Sequence, residues 1–416
     1  MGCAENRVAD YPGTDMTSRV TYLDHAATTP MIDEALAAVT EQLRLLGNAS
    51  SLHASGRAAR RVVEEARETV AAGLGARPSD VVFTSGGTEA DNLALKGMFW
   101  ARRHDDGRRR RILASAVEHH AVLDPLQWLA GADDAQVEFV PVDAWGRTDV
   151  DALRASIEAD PESVALVTVM WANNEVGTVQ PLDAVVEAAA GHGIPVHSDA
   201  VQAVGQLPVD FAASGLAAMT VSGHKIGGPV GVGALVVRRE TALVPVLHGG
   251  GQERDVRSGT LNTPAIAGLA AATELAVKRQ PEHALAMAEL RDELVRRVRS
   301  VVPDVVLNGD PRPGLEHRLP ANAHLTFPGC AGDVLLMLLD AQGIECSTGS
   351  ACSAGVPQAS HVLLAMGRGE AGARGSLRFS LGTTSTVADA EHLASVIGAA
   401  VERARAAGLA AAGEPR

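Results

Sequence analysis

Two kinds of hydrophobic patterning alternate along this chain. Residues 57–75, RAARRVVEEARETVAAGLG, set Val and Ala at helical spacing among charged residues and stop at glycine, which predicts an amphipathic helix. Short β-branched runs then recur: VVFTSGG at 81–87, RILASAVEHH at 111–120, VEFVPVD at 137–143, VALVTVMWANN at 164–174, IPVHSDA at 194–200, AAMTVSGHK at 217–225 and VGALVVRR at 232–239. Apolar runs separated by helical stretches predict βαβ units around a mostly parallel sheet with helices on both faces. The fold class expected is therefore α/β, with a large domain built on that sheet.

After RSGTLNTPAIAG (257–268) the pattern changes to a long charged helix at 282–302, a Pro/Gly-rich connection at 308–322, and further strands at 323–329 and 375–382. These predict a second, smaller α+β domain. The division expected is a disordered leader at 1–20, a large domain at 35–282, a small domain formed by 21–34 with 283–405, and a flexible Ala-rich tail at 406–416. The arginine-rich stretch RRHDDGRRRR (102–111) reads as a solvated loop between helix and strand.

Composition narrows the class. A chain of 416 residues can bury a large core, and its net charge of −14 argues against generic binding to nucleic acid or to an anionic membrane. No apolar run approaches the length of a membrane span, and the N-terminus lacks an apolar signal region. The four cysteines, Cys3, Cys330, Cys346 and Cys352, form no C-x-x-C pair, so neither a zinc site nor a disulfide framework is indicated. A reducing, cytoplasmic location is expected. Cys330 and Cys346 follow apolar stretches and read as packed residues; Cys352 stands instead in CSTGSACSAG (346–355), among small residues.

The candidate chemistry lies where the apolar runs end, since ligands of open parallel sheets gather at the carboxyl ends of the strands. HSDAVQ places Asp199 and Gln202 after one run, and VSGHK places Ser222, His224 and Lys225 after the next. A lysine beside a buried carboxylate is either an internal ion pair or a Schiff-base lysine with an aspartate for a pyridinium nitrogen. TSGGTEADN (84–92) tips the balance, because Gly86, Gly87 and Thr88 open a helix whose free N–H groups can hold one phosphate. The stretch lacks the P-loop lysine and the dinucleotide spacing. Phosphate cradle, lysine and aspartate together indicate pyridoxal 5′-phosphate.

The chain also resembles the cysteine desulfurases within the class V aminotransferases, of the subgroup with a long Ser/Gly-rich active-site loop and fold type I. The resemblance covers about 21–400 and rests, in order, on YLDHAATTP, GNASSLHASGRAAR, TSGGTEADN, EHHAVLD, WANNEVGT, HSDAVQAVGQLP, GHKIGGPVGVGAL, RSGTLN and CSTGSACSAG. It implies that the cofactor is carried on Lys225, with Asp199 at the pyridine nitrogen, Gln202 near the phenolic oxygen and His119 stacked on the ring. Gly87, Thr88, Ser222 and His224 would hold the phosphate together with Thr260, which in the family reaches across from a neighbouring subunit, so a homodimer is implied. Asn174 would lie near cofactor and substrate, and Arg378 would clamp the substrate carboxylate.

The activity implied is conversion of L-cysteine to L-alanine, with Lys225 and His119 in proton transfer and Cys352 taking the sulfur as a persulfide for delivery to an acceptor protein. Iron–sulfur cluster assembly is the destination expected, and Cys352 is a candidate transient cluster ligand; no other metal site is expected. Alternatives are a selenocysteine lyase, another class V aminotransferase or lyase, and a non-catalytic scaffold. Thr383 stands where many relatives carry a basic residue, and His25 is assigned no role.

Overall fold

A computed structural model describes residues 20–349 and 359–412, with side chains to 407; Cys352, the leader before Val20 and the last four residues lie outside the described residues. Seven strands form the central sheet: β1 (Val81–Thr84), β2 (Arg111–Ser115), β3 (Gln136–Val140), β4 (Val164–Thr168), β5 (Val196–Asp199), β6 (Ala218–Ser222) and β7 (Gly233–Val237). Their order is β1-β7-β6-β5-β4-β2-β3, parallel throughout except for β7, which runs against both neighbours. Because β7 alone is reversed, the other six strands end at one edge, where the polar residues of the motifs collect.

Each expected strand is present, and the burial explains the sequence pattern. Strands β1, β4, β6 and β7 are largely apolar and buried at every position, as a sheet with helices on both faces requires, and β5 is equally buried although three of its four residues are polar. β3 is mostly exposed, which suits its place at the sheet edge. The arginine run is largely neutralised locally, with Arg108 on Asp106, Arg110 on Asp134 and Arg111 on Glu138.

Three helices matter for the site. α1 (Gly87–Asp105) follows β1, α2 (His120–Ala132) follows β2, and the 39-residue α3 (Thr263–Val301) leaves the central sheet. A second sheet joins β8 (Asn322–Thr326) antiparallel to β9 (Ser376–Ser380) and to Val306–Leu307. The helix α4 (His361–Ala365) lies between β8 and β9 in sequence. One apolar core packs around the central sheet; another joins Leu23, the later half of α3 from Met287 onward, β8, β9 and the helix Val387–Ala412.

Two expected boundaries fall within helices. The division at 282/283 falls inside α3, which continues through Pro281. Proline removes one backbone donor, but the stretch on each side is rich in Ala, Leu and Glu and packed on both cores, so the helix survives it. The tail expected to begin at 406 is instead helical to Ala412, in keeping with the helix propensity of its alanines.

Candidate active site

The carboxyl ends of the strands open into a cavity of about 380 Å³ between the two sheets. It is lined by Gly87, Thr88, His119, Asn174, Asp199, Gln202, Ser222, His224, Lys225 and Arg378, so ten of the expected site residues meet there. Thr260 is exposed and does not line it. Cys352 lies outside the described residues, but Ser347 and Gly349, at the start of its loop, form part of the wall.

The turn into α1 supplies an anion-binding end. Gly86 has φ 149°, a conformation natural to glycine, and no side chain caps the helix, so its first N–H groups remain free of side-chain partners. A Cβ on Gly87 would stand 3.1 Å from Val201 Cγ2 and 3.7 Å from Ser222 Cβ, which keeps this position small. Ser222 ends β6, and His224 follows it with Nδ1 3.2 Å from Thr28 Oγ1.

Lys225 Nζ donates to the carbonyl oxygens of Ala26 and Ala27 at 2.7 and 2.6 Å. Burial, and then the Arg378 charge, push its pKa down to about 8, with Asp24 and Asp199 opposing. Gln202 Nε2 donates to the same Ala26 carbonyl at 2.9 Å. Asp199 closes β5, and its Oδ1 accepts from Val201 N–H at 2.9 Å. Burial raises its pKa, while the Val201 N–H and the Lys225 charge pull the other way.

His119 is the N-cap of α2 and accepts from Ala121 N–H at Nδ1, 3.1 Å away. Its ring is exposed to the cavity but hemmed in by protein elsewhere. Desolvation, followed by the Lys225 charge, lowers its pKa to about 4. Arg378, on β9, donates to the Asn174 carbonyl at 3.0 Å and pairs with Asp24 at 2.7 Å, while its Nε is buried without a partner.

The profile of the aminotransferase class-V family matches residues 21–393. The chain belongs to the class V aminotransferases. Over 395 residues this aminotransferase-family chain is 57% identical to an IscS-like cysteine desulfurase of Mycobacterium tuberculosis, covering 95% of the chain and 100% of that relative. Among solved structures, a NifS-like protein superposes with a TM-score of 0.84 at 34% identity, over 92% of this chain and 100% of that one. A structure titled "SspA in complex with cysteine" gives a TM-score of 0.74 at 33% identity, over 87% and 98%. Within the family the chain is a cysteine desulfurase, and the family depends on pyridoxal 5′-phosphate.

The cavity of this class V chain fits that cofactor. It offers an uncapped helix end for a phosphate, a lysine amine of lowered pKa for an aldehyde, and a buried carboxylate for a pyridinium nitrogen. The sequence reading passed over other acidic groups near the site. Asp24 pairs with Arg378, and Glu175 lines the wall and accepts from Ser360 Oγ at 2.5 Å. Glu118 accepts from Met170 N–H at 2.6 Å through Oε1 and buries Oε2 without a partner. Asp91, one turn beyond the helix start, lines the cavity with His197 Nε2 3.5 Å away and the Thr220 hydroxyl interacting with its carboxyl. Glu118, Glu175 and Asp91 stand in motifs that carry expected site residues, so adjacency was their only signal, and Asp24 stands in YLDHAATTP, where no site residue is expected. His361 is a further unpredicted wall residue.

Proposed function

We propose that this desulfurase converts L-cysteine to L-alanine by passing the sulfur to Cys352, which becomes a persulfide. The observation that carries the reading is the meeting of Lys225, Asp199, the Gly87–Thr88 helix start and Arg378 in one cavity. The cofactor would be held by Gly87, Thr88, Ser222 and His224 at its phosphate, by Asp199 at its ring nitrogen, by Gln202 at its phenolic oxygen and by His119 against its ring. Pyridoxal 5′-phosphate supplies an electron sink that lets a proton leave the substrate's α-carbon.

The side chains supply the rest. With its pKa near 8, Lys225 carries an appreciable neutral fraction at neutral pH and can accept that proton at Nζ. The planar Arg378 guanidinium suits a carboxylate, and Asn174 lies beside it through its own carbonyl. Asp24 occupies one edge of that guanidinium, so the substrate carboxylate would share or displace this pair. The Cys352 thiolate attacks the substrate sulfur, the C–S bond breaks, and the carbon takes a proton, so that L-cysteine and a thiol give L-alanine and a persulfide.

A homodimer, a cytoplasmic setting and delivery of sulfur to an acceptor protein for iron–sulfur cluster assembly complete the reading. The dimer is supported by Thr260 standing outside its own chain's cavity and by the exposed Leu43, Leu45, Leu46 and Leu52. Incubation of the purified protein with L-cysteine and a reductant tests the whole. The expected outcome is equimolar alanine and sulfide from a yellow protein, abolished by Cys352→Ser with the colour retained. Full desulfuration by Cys352→Ser would remove this cysteine from the reaction.

A further inference from the structure

The first turn of α1 carries a negative charge where a phosphate is to be held. Glu89 is the third residue of the helix, next to Gly87 and Thr88. A carboxylate there suits the helix dipole, but a second anion brought to the same N–H groups would be repelled by it. Two contacts define what Glu89 does. Its Oε2 accepts from Ser85 N–H at 2.7 Å, so the side chain reaches back over Gly86, a cap with no side chain of its own, and fixes the turn from β1 into α1. Oε1 accepts from Arg257 Nε at 2.6 Å and Oε2 from Arg257 Nη2 at 3.1 Å, a bidentate pair whose side chains are 18% and 17% exposed. Burial works against ionisation of Glu89, yet the Arg257 and Ser85 hydrogen bonds outweigh it and hold the carboxyl below its ordinary pKa.

Arg257 comes from a loop 168 residues further along the chain, and that loop is fastened to the same strand and helix. Glu253, Arg254 and Asp255 have φ of 48°, 60° and 64°, left-handed values unfavourable for any residue with a Cβ. The Glu253 carboxylate secures this run by accepting from Arg67 at 2.7 and 2.8 Å and from Phe83 N–H at 2.8 Å, on the open edge of β1. With Arg67 thus committed to Glu253, Arg257 is the cation paired with Glu89 among the described residues.

We propose that Glu89 and Arg257 are positioning residues for the cofactor phosphate: Glu89 holds the turn through the Ser85 N–H, and the Arg257 guanidinium cancels the carboxylate's charge, so that the helix start stays favourable to an anion. The proposal rests on the reading of the Gly87–Thr88 helix start as the phosphate site.

The full-length chain freed of cofactor is titrated with pyridoxal 5′-phosphate and, separately, with pyridoxal, which has the same ring and aldehyde but no phosphate; the visible absorbance of the bound form gives each Kd. Arg257→Gln leaves the Glu89 charge facing the phosphate and should weaken pyridoxal 5′-phosphate about tenfold, with pyridoxal unchanged. Glu89→Gln, whose amide oxygen still accepts from Ser85 N–H, should bind pyridoxal 5′-phosphate at least as tightly as wild type, and adding it to Arg257→Gln should restore the lost affinity. An unchanged Kd in Arg257→Gln, equal weakening toward pyridoxal, or a double variant no better than Arg257→Gln overturns the proposal and leaves the arginine a loop anchor at most. Weaker binding by Glu89→Gln overturns it independently of how the arginine variant folds. Failure of the underlying reading looks different: Thr88→Ala would then bind pyridoxal 5′-phosphate as tightly as wild type.

Discussion

At the residue scale the most consequential buried group is Glu118. Its carboxyl is wholly enclosed, takes one N–H from Met170, and has its pKa raised to about 8 by burial, with the Asp199 charge adding to the effect. Between the ordinary carboxyl range and pH 8 the native state therefore holds a proton that the unfolded chain has lost. Stability from this group is fully present below the unfolded pKa and falls as pH rises toward 8. His25 and His119, lowered to about 4, and His197, lowered to about 3, act in the opposite sense, because the unfolded chain gains protons as pH falls below their ordinary range. The two sets partly cancel in wild type, so the comparison with a variant is the informative quantity. Glu118→Gln should gain stability relative to wild type as pH rises from 5 to 8, by at most about 1.4 kcal/mol per pH unit, measured by urea unfolding at each pH. A pH-independent difference would mean that Glu118 is already ionised in the native protein.

The candidate site is legible at this scale wherever a contiguous motif ends a strand. Asp199, Ser222, His224 and Lys225 are short-range consequences of β5 and β6 ending at the same edge. Asp24 is not legible, because its meaning lies in a pairing with Arg378 across 354 residues of chain. Nor do Glu118 and Asp91 declare themselves: a carboxylate in a polar motif looks solvated until the sheet and helix close over it.

At the element scale most strands were readable because their buried runs are largely apolar and rich in β-branched residues, as a sheet covered on both faces asks, whereas β5 is buried although it reads Val-His-Ser-Asp. The long helix was not, because local sequence signals a break at Pro281 while packing on two cores carries the helix through. Its first half presses closely on its neighbours. A Cβ at Gly268 would stand 2.6 Å from Val39 Cγ2 and 2.7 Å from the Pro229 ring. Alanine in place of glycine gains up to about 1 kcal/mol of helix propensity, whereas overpacking a tight contact costs about 1–3 kcal/mol. The clash should win, so Gly268→Ala should lower the unfolding midpoint in thermal denaturation. A raised midpoint would show that the helix Asp33–Leu43 can shift away without loss.

At the scale of the whole molecule, the net charge and lack of any long apolar run are legible directly, and among the described residues no helix is long and apolar enough to cross a membrane. Assembly is where a single chain runs short. Thr260 is expected to serve a neighbour's phosphate site, and in its own chain it is exposed and away from the cavity. If it acts across a dimer, two defects on different chains should complement. Lys225→Ala removes the amine that carries the cofactor, and Thr260→Glu sets a negative charge against the phosphate, so each homodimer should be inactive. In a mixed dimer, however, the chain with Lys225 intact receives an intact Thr260 from its partner, and one complete site is restored. Random reassortment of the two chains should then recover about a quarter of wild-type sulfide production. If each chain instead supplies Thr260 to its own cavity, every site in the mixture keeps one defect and mixing recovers nothing.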